Sequence, residues 1–192
     1  MTTPASSPWR AAAAGLAMLA LSGIACAQQR LLTVPGVDLQ RYAGTWHEVA
    51  RLPNRFQAHC VAEVTAEYTP RDDGTIGVVN RCRTAAAGGA DGPWDVAEGV
   101  ARPVDASNAK LRVSFLPAAL RWLPVGWGDY WVLELDPEYR WALVGEPGRD
   151  YLWVLSRSPV LQQDVLQGVL GRAREMGFPV DRIVLSAQKP PD

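Results

Sequence analysis

From residue 44 to residue 156 the apolar side chains recur mostly at every second position, in short runs broken by turn residues. That is the period of half-buried β-strands. The stretch Trp46-His47-Glu48-Val49-Ala50-Arg51 alternates Trp46, Glu48 and Ala50 against His47, Val49 and Arg51. Residues 61–69 set Ala62, Val64, Ala66 and Tyr68 against Glu63, Thr65 and Glu67, and residues 75–82 return with Ile76, Val78 and Asn80 against Gly77, Val79 and Arg81. Arg71-Asp72-Asp73-Gly74 between them has the composition of a hairpin turn. A polar loop at 84–93 precedes five further predicted strands, at 94–102, 110–116, 129–136, 141–145 and 150–156. With the strand opening at Trp46 this makes eight, and each connection is able to form a hairpin. The predicted fold class is all-β, an eight-stranded up-and-down antiparallel β-barrel closed on itself, with a two-sheet sandwich as the structural alternative.

The period then changes. Across 159–177, Val160, Leu161, Val165, Leu166, Val169, Leu170, Ala173 and Met176 fall at helical spacing and Gly177 supplies a stop. One C-terminal amphipathic α-helix is expected, packed outside the barrel. Residues 182–186 read as a last short strand on an edge, and 189–192 as a tail. At the other end, 38–42 reads as a short helical or turn segment, and Gly44 as a sharp bend before the first strand.

Residues 1–27 carry one charge, Arg10, then an apolar run and a small-residue end. This is the pattern of a secretory signal peptide; the run is short for a membrane helix. Residues 28–36 read as a linker, and one domain is expected over 37–188. Without Arg10 the remaining chain has 18 basic and 20 acidic side chains, a net charge of −2. That balance is not basic enough to imply a nucleic acid partner.

The three cysteines occupy two contexts. Cys26 ends the leader in Leu21-Ser22-Gly23-Ile24-Ala25-Cys26, where acylation would hold the protein at the outer membrane. Alternatively, cleavage after Ala27 would remove it and leave a soluble periplasmic protein. Cys60 and Cys82 flank the hairpin at 71–74, so antiparallel pairing brings them nearly opposite each other. In an oxidising compartment a disulfide is expected, two separate thiols being the alternative.

Gly44-Thr45-Trp46 with Glu48 and Ala50 resembles the first signature of the lipocalins, and His47-Glu48-Val49-Ala50-Arg51-Leu52-Pro53-Asn54-Arg55-Phe56 resembles its bacterial, Blc-type form. Asp136-Pro137-Glu138-Tyr139 with Ala142-Leu143-Val144 is similar to the family's second motif, although Leu135 and Pro137 depart from its usual flanks. Asp150-Tyr151-Leu152-Trp153-Val154-Leu155-Ser156-Arg157 is similar to the last. The resemblance spans 37–188. It implies that Arg157 stacks on Trp46 and, with Gly44, closes the narrow end of the barrel, and that the interior holds a small hydrophobic ligand.

Following the two-residue period from these motifs, the expected ligand-binding wall is Glu48, Ala66, Tyr68, Val78, Asn80, Glu98, Val100, Val113, Phe115, Tyr130, Val132, Glu134, Tyr151 and Trp153. An apolar, aromatic wall with isolated polar points suits a fatty acid, lysophospholipid or other single-chain lipid, its head group near Asn80, Tyr130 or a carboxylate. The expected function is carriage or storage of such a ligand for cell-envelope maintenance under stress, without enzymatic activity. His47 and His59 are the only histidines, and no serine lies in a nucleophile-elbow pattern, so neither a metal centre, a cofactor site nor a hydrolytic triad is expected. Inward Glu48, Glu98 and Glu134 keep a cavity-carboxylate enzyme as one alternative. The other alternative is a barrel that works through its surface. The connection at 116–127 is unusually apolar and reads as a lid, a membrane-contacting patch through Trp122 and Trp127, or a homodimer contact.

Overall fold

Asp38 caps the first helix, its carboxylate accepting from the backbone N–H groups of Gln40 and Arg41. The structure is a computed structural model and describes residues 30–86 and 92–188. The expected signal peptide, Cys26 and the 189–192 tail lie outside the described residues, as do parts of the linker and the 84–93 loop. The elements are α1 (Leu39–Tyr42), β1 (Gly44–Arg51), β2 (Cys60–Pro70), β3 (Ile76–Thr84), β4 (Trp94–Pro103), β5 (Lys110–Ser114), β6 (Gly128–Leu135), β7 (Trp141–Gly145), β8 (Leu152–Ser156), α2 (Gln163–Glu175) and β9 (Val184–Leu185). Strands β2 to β8 pair antiparallel in chain order, β8 pairs with β1, and β1 pairs back to β2. Eight strands therefore close into the expected up-and-down barrel.

Register slips in β1 and β6 change which side chains face inward there, because one extra residue shifts the two-residue alternation. In β1, Glu48 pairs with Leu155, but the register then slips so that Ala50 pairs with Val154 and Arg51 with Trp153. Trp153 and Leu155 belong to the inner cluster and Val154 to the outer one. Ala50 thus turns outward and Arg51 inward, reversing the expectation for both. In β6 a slip between Val132 and Glu134 pairs Val132 with Val144 but Glu134 with the outward Leu143.

A closed barrel has no free edge, yet β9 finds one. Pairing of β1 with β2 ends at His47 opposite Thr65, and beyond that point β9 pairs with Ala50 and Arg51 instead. The C-terminal segment fills the gap between the diverging strands. Ala187 accepts from the Glu63 N–H at 2.7 Å, and the Gln188 amide donates to the carbonyls of Glu48 at 2.8 Å and Val64 at 2.9 Å.

Helix α2 lies outside the barrel, as its apolar stripe requires. Leu166, Val169 and Ala173 are buried in one cluster with Val49, Leu133, Leu143, Leu152, Val154 and Phe178. Gly145 is needed beneath it, because a Cβ there would come within 2.8 Å of the Phe178 ring. The Arg172 guanidinium bonds Glu134 from the helix at 2.6 Å.

Candidate functional site

The closed end is built from three layers of aromatic and hydrogen-bonded contacts. Trp46 is fully buried, and its indole N–H donates to the Tyr42 carbonyl at 2.8 Å. The Arg157 guanidinium lies 3.9 Å from its ring centroid. Gly44, at φ +88°, admits this approach: a Cβ would sit 3.5 Å from Arg157 Nη1, in a backbone conformation side chains rarely adopt. Above Trp46, the Tyr130 hydroxyl meets those of Tyr42 at 2.8 Å and Tyr68 at 2.9 Å. Burial raises all three phenols, pushing Tyr68 up to about 12.

The second motif forms the hairpin that supports this end. Asp136 accepts two bonds from Arg140 at 2.8 Å, which with neighbouring N–H groups hold its carboxyl below the usual range. The Tyr139 hydroxyl accepts from the Asp38 N–H at 3.0 Å, tying the turn to α1.

Toward the open end the character changes. Ladder pairing puts Ala66, Asn80 and Ala97 on one inward row, with Gly99 beside Val78. Phe115 reaches across from the end of β5: a Cβ on Gly99 would lie 2.8 Å from its ring. Tyr151 stacks parallel to Trp153 at 6.0 Å and meets Phe56 at 5.8 Å. Beneath these rings Glu48 is 2% exposed. It accepts from Arg51 at 2.8 Å, from Gln57 at 2.6 Å and from the Ser186 hydroxyl. Gln57 also accepts from the Trp153 indole N–H at 2.8 Å, locking the β1–β2 connection onto the wall. The Nε of Arg51 is buried without a hydrogen-bond partner among the described residues.

Of the expected wall residues, Glu48, Ala66, Tyr68, Val78, Asn80, Val113, Tyr130, Val132 and Trp153 share the inner face, and Phe115 and Tyr151 lie just beyond the ends of β5 and β8 against Gly99 and Trp153. Three do not. Glu134 is turned out by the β6 bulge and paired to α2. Glu98 and Val100 lie on the outer face of β4, because the inward row there is Ala97, Gly99 and Ala101. The larger valines Val96 and Val100 point to the wrong phase, since hydrophobicity alone favours them as interior residues. Tyr130, expected near a head group, instead belongs to the buried tyrosine cluster. Arg51, Gln57, Ala97 and Gly99 are inner or network residues that the alternation did not single out. A bulge in β1 hides the first, and Gln57 lies in a loop with no period to follow.

Cys60 and Cys82 form a disulfide, their Cα atoms 5.6 Å apart. His59 lies beside it, its Nε2 2.9 Å from Asp95 Oδ2 and 3.8 Å from Cys60 Sγ. With both sulfurs bonded to each other, this group has no thiolate to offer a metal.

A barrel of this topology, plugged at one end by a buried tryptophan that an arginine caps, is the lipocalin architecture. The chain belongs to the lipocalin family: the lipocalin-like domain model matches residues 37–188. It is 40% identical over 152 residues to the outer membrane lipoprotein Blc of Escherichia coli, covering 79% of each chain. It is 36% identical to temperature-induced lipocalin-1 of Arabidopsis thaliana, covering 86% of this chain and 88% of that protein. Among solved structures it resembles insecticyanin of the tobacco hornworm Manduca sexta, with a TM-score of 0.60 at 22% identity over 80% of this chain and 82% of that one. That likeness shows the fold. Lipocalins are in general proteins that bind and transport small hydrophobic ligands.

Proposed function

We propose that this protein binds a single-chain amphiphile, a fatty acid or lysophospholipid, in the open half of its barrel and carries or stores it for maintenance of the cell envelope under stress. The observation that carries the reading is the contrast between the two halves. At the closed end the inward residues are large, mutually packed and hydrogen-bonded, whereas β2, β3 and β4 present Ala66, Asn80, Ala97 and Gly99 toward the open end. Small Ala66 and Ala97 on this wall, with the rings of Trp153 and Tyr151 among the inward residues, suit an acyl chain packed against aromatic rings. Burying a methylene contributes about 0.8 kcal/mol, so about ten buried carbons offset the cost of ordering and allow micromolar affinity.

The polar group of the ligand is assigned to Arg51 and Asn80. Arg51 has a buried Nε donor without a partner among the described residues, and a ligand carboxylate or phosphate oxygen supplies one. No covalent step belongs to this reading. Glu48 is held by Arg51, Gln57 and Ser186, while Glu98 and Glu134, the acids expected beside it, face outward.

Export and attachment to the outer membrane through an acylated Cys26 are supported by the leader pattern and by the outer membrane lipoproteins among the relatives. Cys26→Ser releases the protein from the membrane fraction if acylation anchors it; a mature N-terminus at Gln28 contradicts the anchor.

The cavity is tested by Ala97→Trp, which fills the inner row opposite Asn80. Solvent extraction and mass analysis of the purified wild-type protein should recover a single-chain lipid that the variant lacks, at an unchanged melting temperature. Equal recovery from both proteins contradicts a site inside the barrel.

A further inference from the structure

The connection between β5 and β6 folds against the outside of the barrel, where it and the strand surface enclose a groove of about 510 Å³ lined by Arg102, Arg112, Arg121, Trp122, Leu123, Pro124 and Trp127. Arg102 and Arg112 stand directly opposite each other on β4 and β5 and share the outer face, since Ala101, Leu111 and Val113 take the inner one. Like charges in that position destabilise a sheet. Among the described residues no carboxylate forms an ion pair with any of the three arginines, although Asp129 is opposite Arg112 in the next ladder.

The arginines are held in place by other means. Arg102 stacks 3.6 Å from the Trp127 ring centroid, and Arg112 donates to the Trp127 carbonyl at 3.3 Å. Arg121 donates to the Leu116 carbonyl at 2.8 Å, and the Trp127 indole N–H donates to the Arg121 carbonyl at 3.0 Å. Gly126, at φ +83°, makes the tight return possible; a Cβ there would come within 2.5 Å of Leu116. These bonds use only part of each guanidinium, and none neutralises it. Beside the cations Trp122 is 78% exposed and Val125 66% exposed. An unpaired cationic groove rimmed by exposed apolar side chains matches the water–lipid interface, with anionic phosphates at the level of the arginines and a tryptophan at the boundary.

We propose that this groove is a second site, outside the barrel, that binds the phosphate of an anionic phospholipid in a membrane surface while Trp122 and Val125 enter the interface. It uses none of the residues assigned to the cavity, so the two readings stand or fall separately. Docking by this face presents the β5–β6 side of the barrel mouth to the bilayer, a position suited to exchange of a lipid between membrane and cavity.

The test is co-sedimentation of the full chain, carrying Cys26→Ser throughout to remove any acyl anchor, with vesicles of phosphatidylcholine alone or with about one-third phosphatidylglycerol. The wild type should bind the anionic vesicles, more weakly as salt rises, and the Arg102→Gln/Arg112→Gln variant should lose about 25-fold, at about fivefold per arginine. Arg102→Lys/Arg112→Lys keeps the charge and should retain most of the binding; Trp122→Ala should weaken it with the same salt dependence. Wild-type binding that is absent, insensitive to salt or unchanged by the glutamine pair overturns the proposal, the first two outcomes even if the variants fail to fold. Inorganic phosphate is the separating arm: if it shifts tryptophan emission of the wild type but not of the glutamine pair, while no vesicle binds, the site serves a soluble phosphate and the membrane assignment is wrong. Tryptophan titration of the barrel with a detergent-free fatty acid should be the same in wild type and glutamine pair.

Discussion

Arg157 caps Trp46: its guanidinium carbon lies 3.9 Å from the indole centroid, while Nη1 donates to the Thr45 carbonyl at 2.9 Å and Nη2 to the Arg41 carbonyl at 2.7 Å. One side chain thereby joins the end of β8 to α1 and the start of β1. Stacking fixes the plane of the guanidinium, and the two carbonyls fix its direction within that plane.

Replacing Arg157 with alanine should cost roughly 1–3 kcal/mol, the sum of lost stacking and lost donors to two carbonyls. Lysine keeps the charge but not the planar fork, so Arg157→Lys should recover only part of it. Thermal or urea unfolding measures both. An unchanged midpoint in Arg157→Ala would remove the capping role.

The Cys60–Cys82 bridge closes a loop with a sequence separation of 22. Reduction should lower stability by about 3 kcal/mol in the chain-entropy account. The non-reduced protein should have an intact mass about 2 Da below the dithiol, one hydrogen lost per sulfur. Quantitative alkylation of both cysteines in exported, unreduced protein would contradict the bridge.

The tyrosine cluster predicts alkaline sensitivity. Burial, and to a smaller extent the Glu48 charge, pushes Tyr68 up to about 12, and burial also raises Tyr42 and Tyr130. A phenol raised in the folded state stays protonated there while the unfolded chain ionises. Its stabilising effect is therefore complete below about pH 10 and is lost as pH rises through the folded-state value. The melting temperature should begin to fall near pH 10 from this cause. Tyr130→Phe removes the hydroxyl shared by Tyr42 and Tyr68 and should cost about 1–3 kcal/mol at neutral pH. A variant as stable as wild type would show that the three hydroxyls do not act together.

Most of the barrel could be read from the alternation of side chains, because strands of period two separated by turn residues have few other ways to bury one face. Trp46, Ala66, Tyr68, Val78, Val113, Val132 and Trp153 follow from it directly. What the alternation could not carry was a change of phase. The bulges in β1 and β6 each add one residue, so Arg51 moves in, and Ala50 and Glu134 move out, with no local mark in composition. In β4 the phase was ambiguous for another reason. Val96 and Val100 are the more hydrophobic row, but the interior takes Ala97, Gly99 and Ala101, because space at the wall decides there. The last strand was legible as a strand, but not its place. Its edge exists only because β2 leaves β1 beyond His47, a gap that the Ala187 and Gln188 bonds fill.

The proposed site for an acyl chain is the open half of the barrel above the Trp46 floor. Titration of tryptophan fluorescence with fatty acids of increasing length tests it most directly, since Trp153 lines that wall. Affinity should rise with each added methylene, at about fourfold per carbon from about 0.8 kcal/mol, and level off once the chain reaches the closed end. A folded protein whose response is the same at every chain length would contradict it.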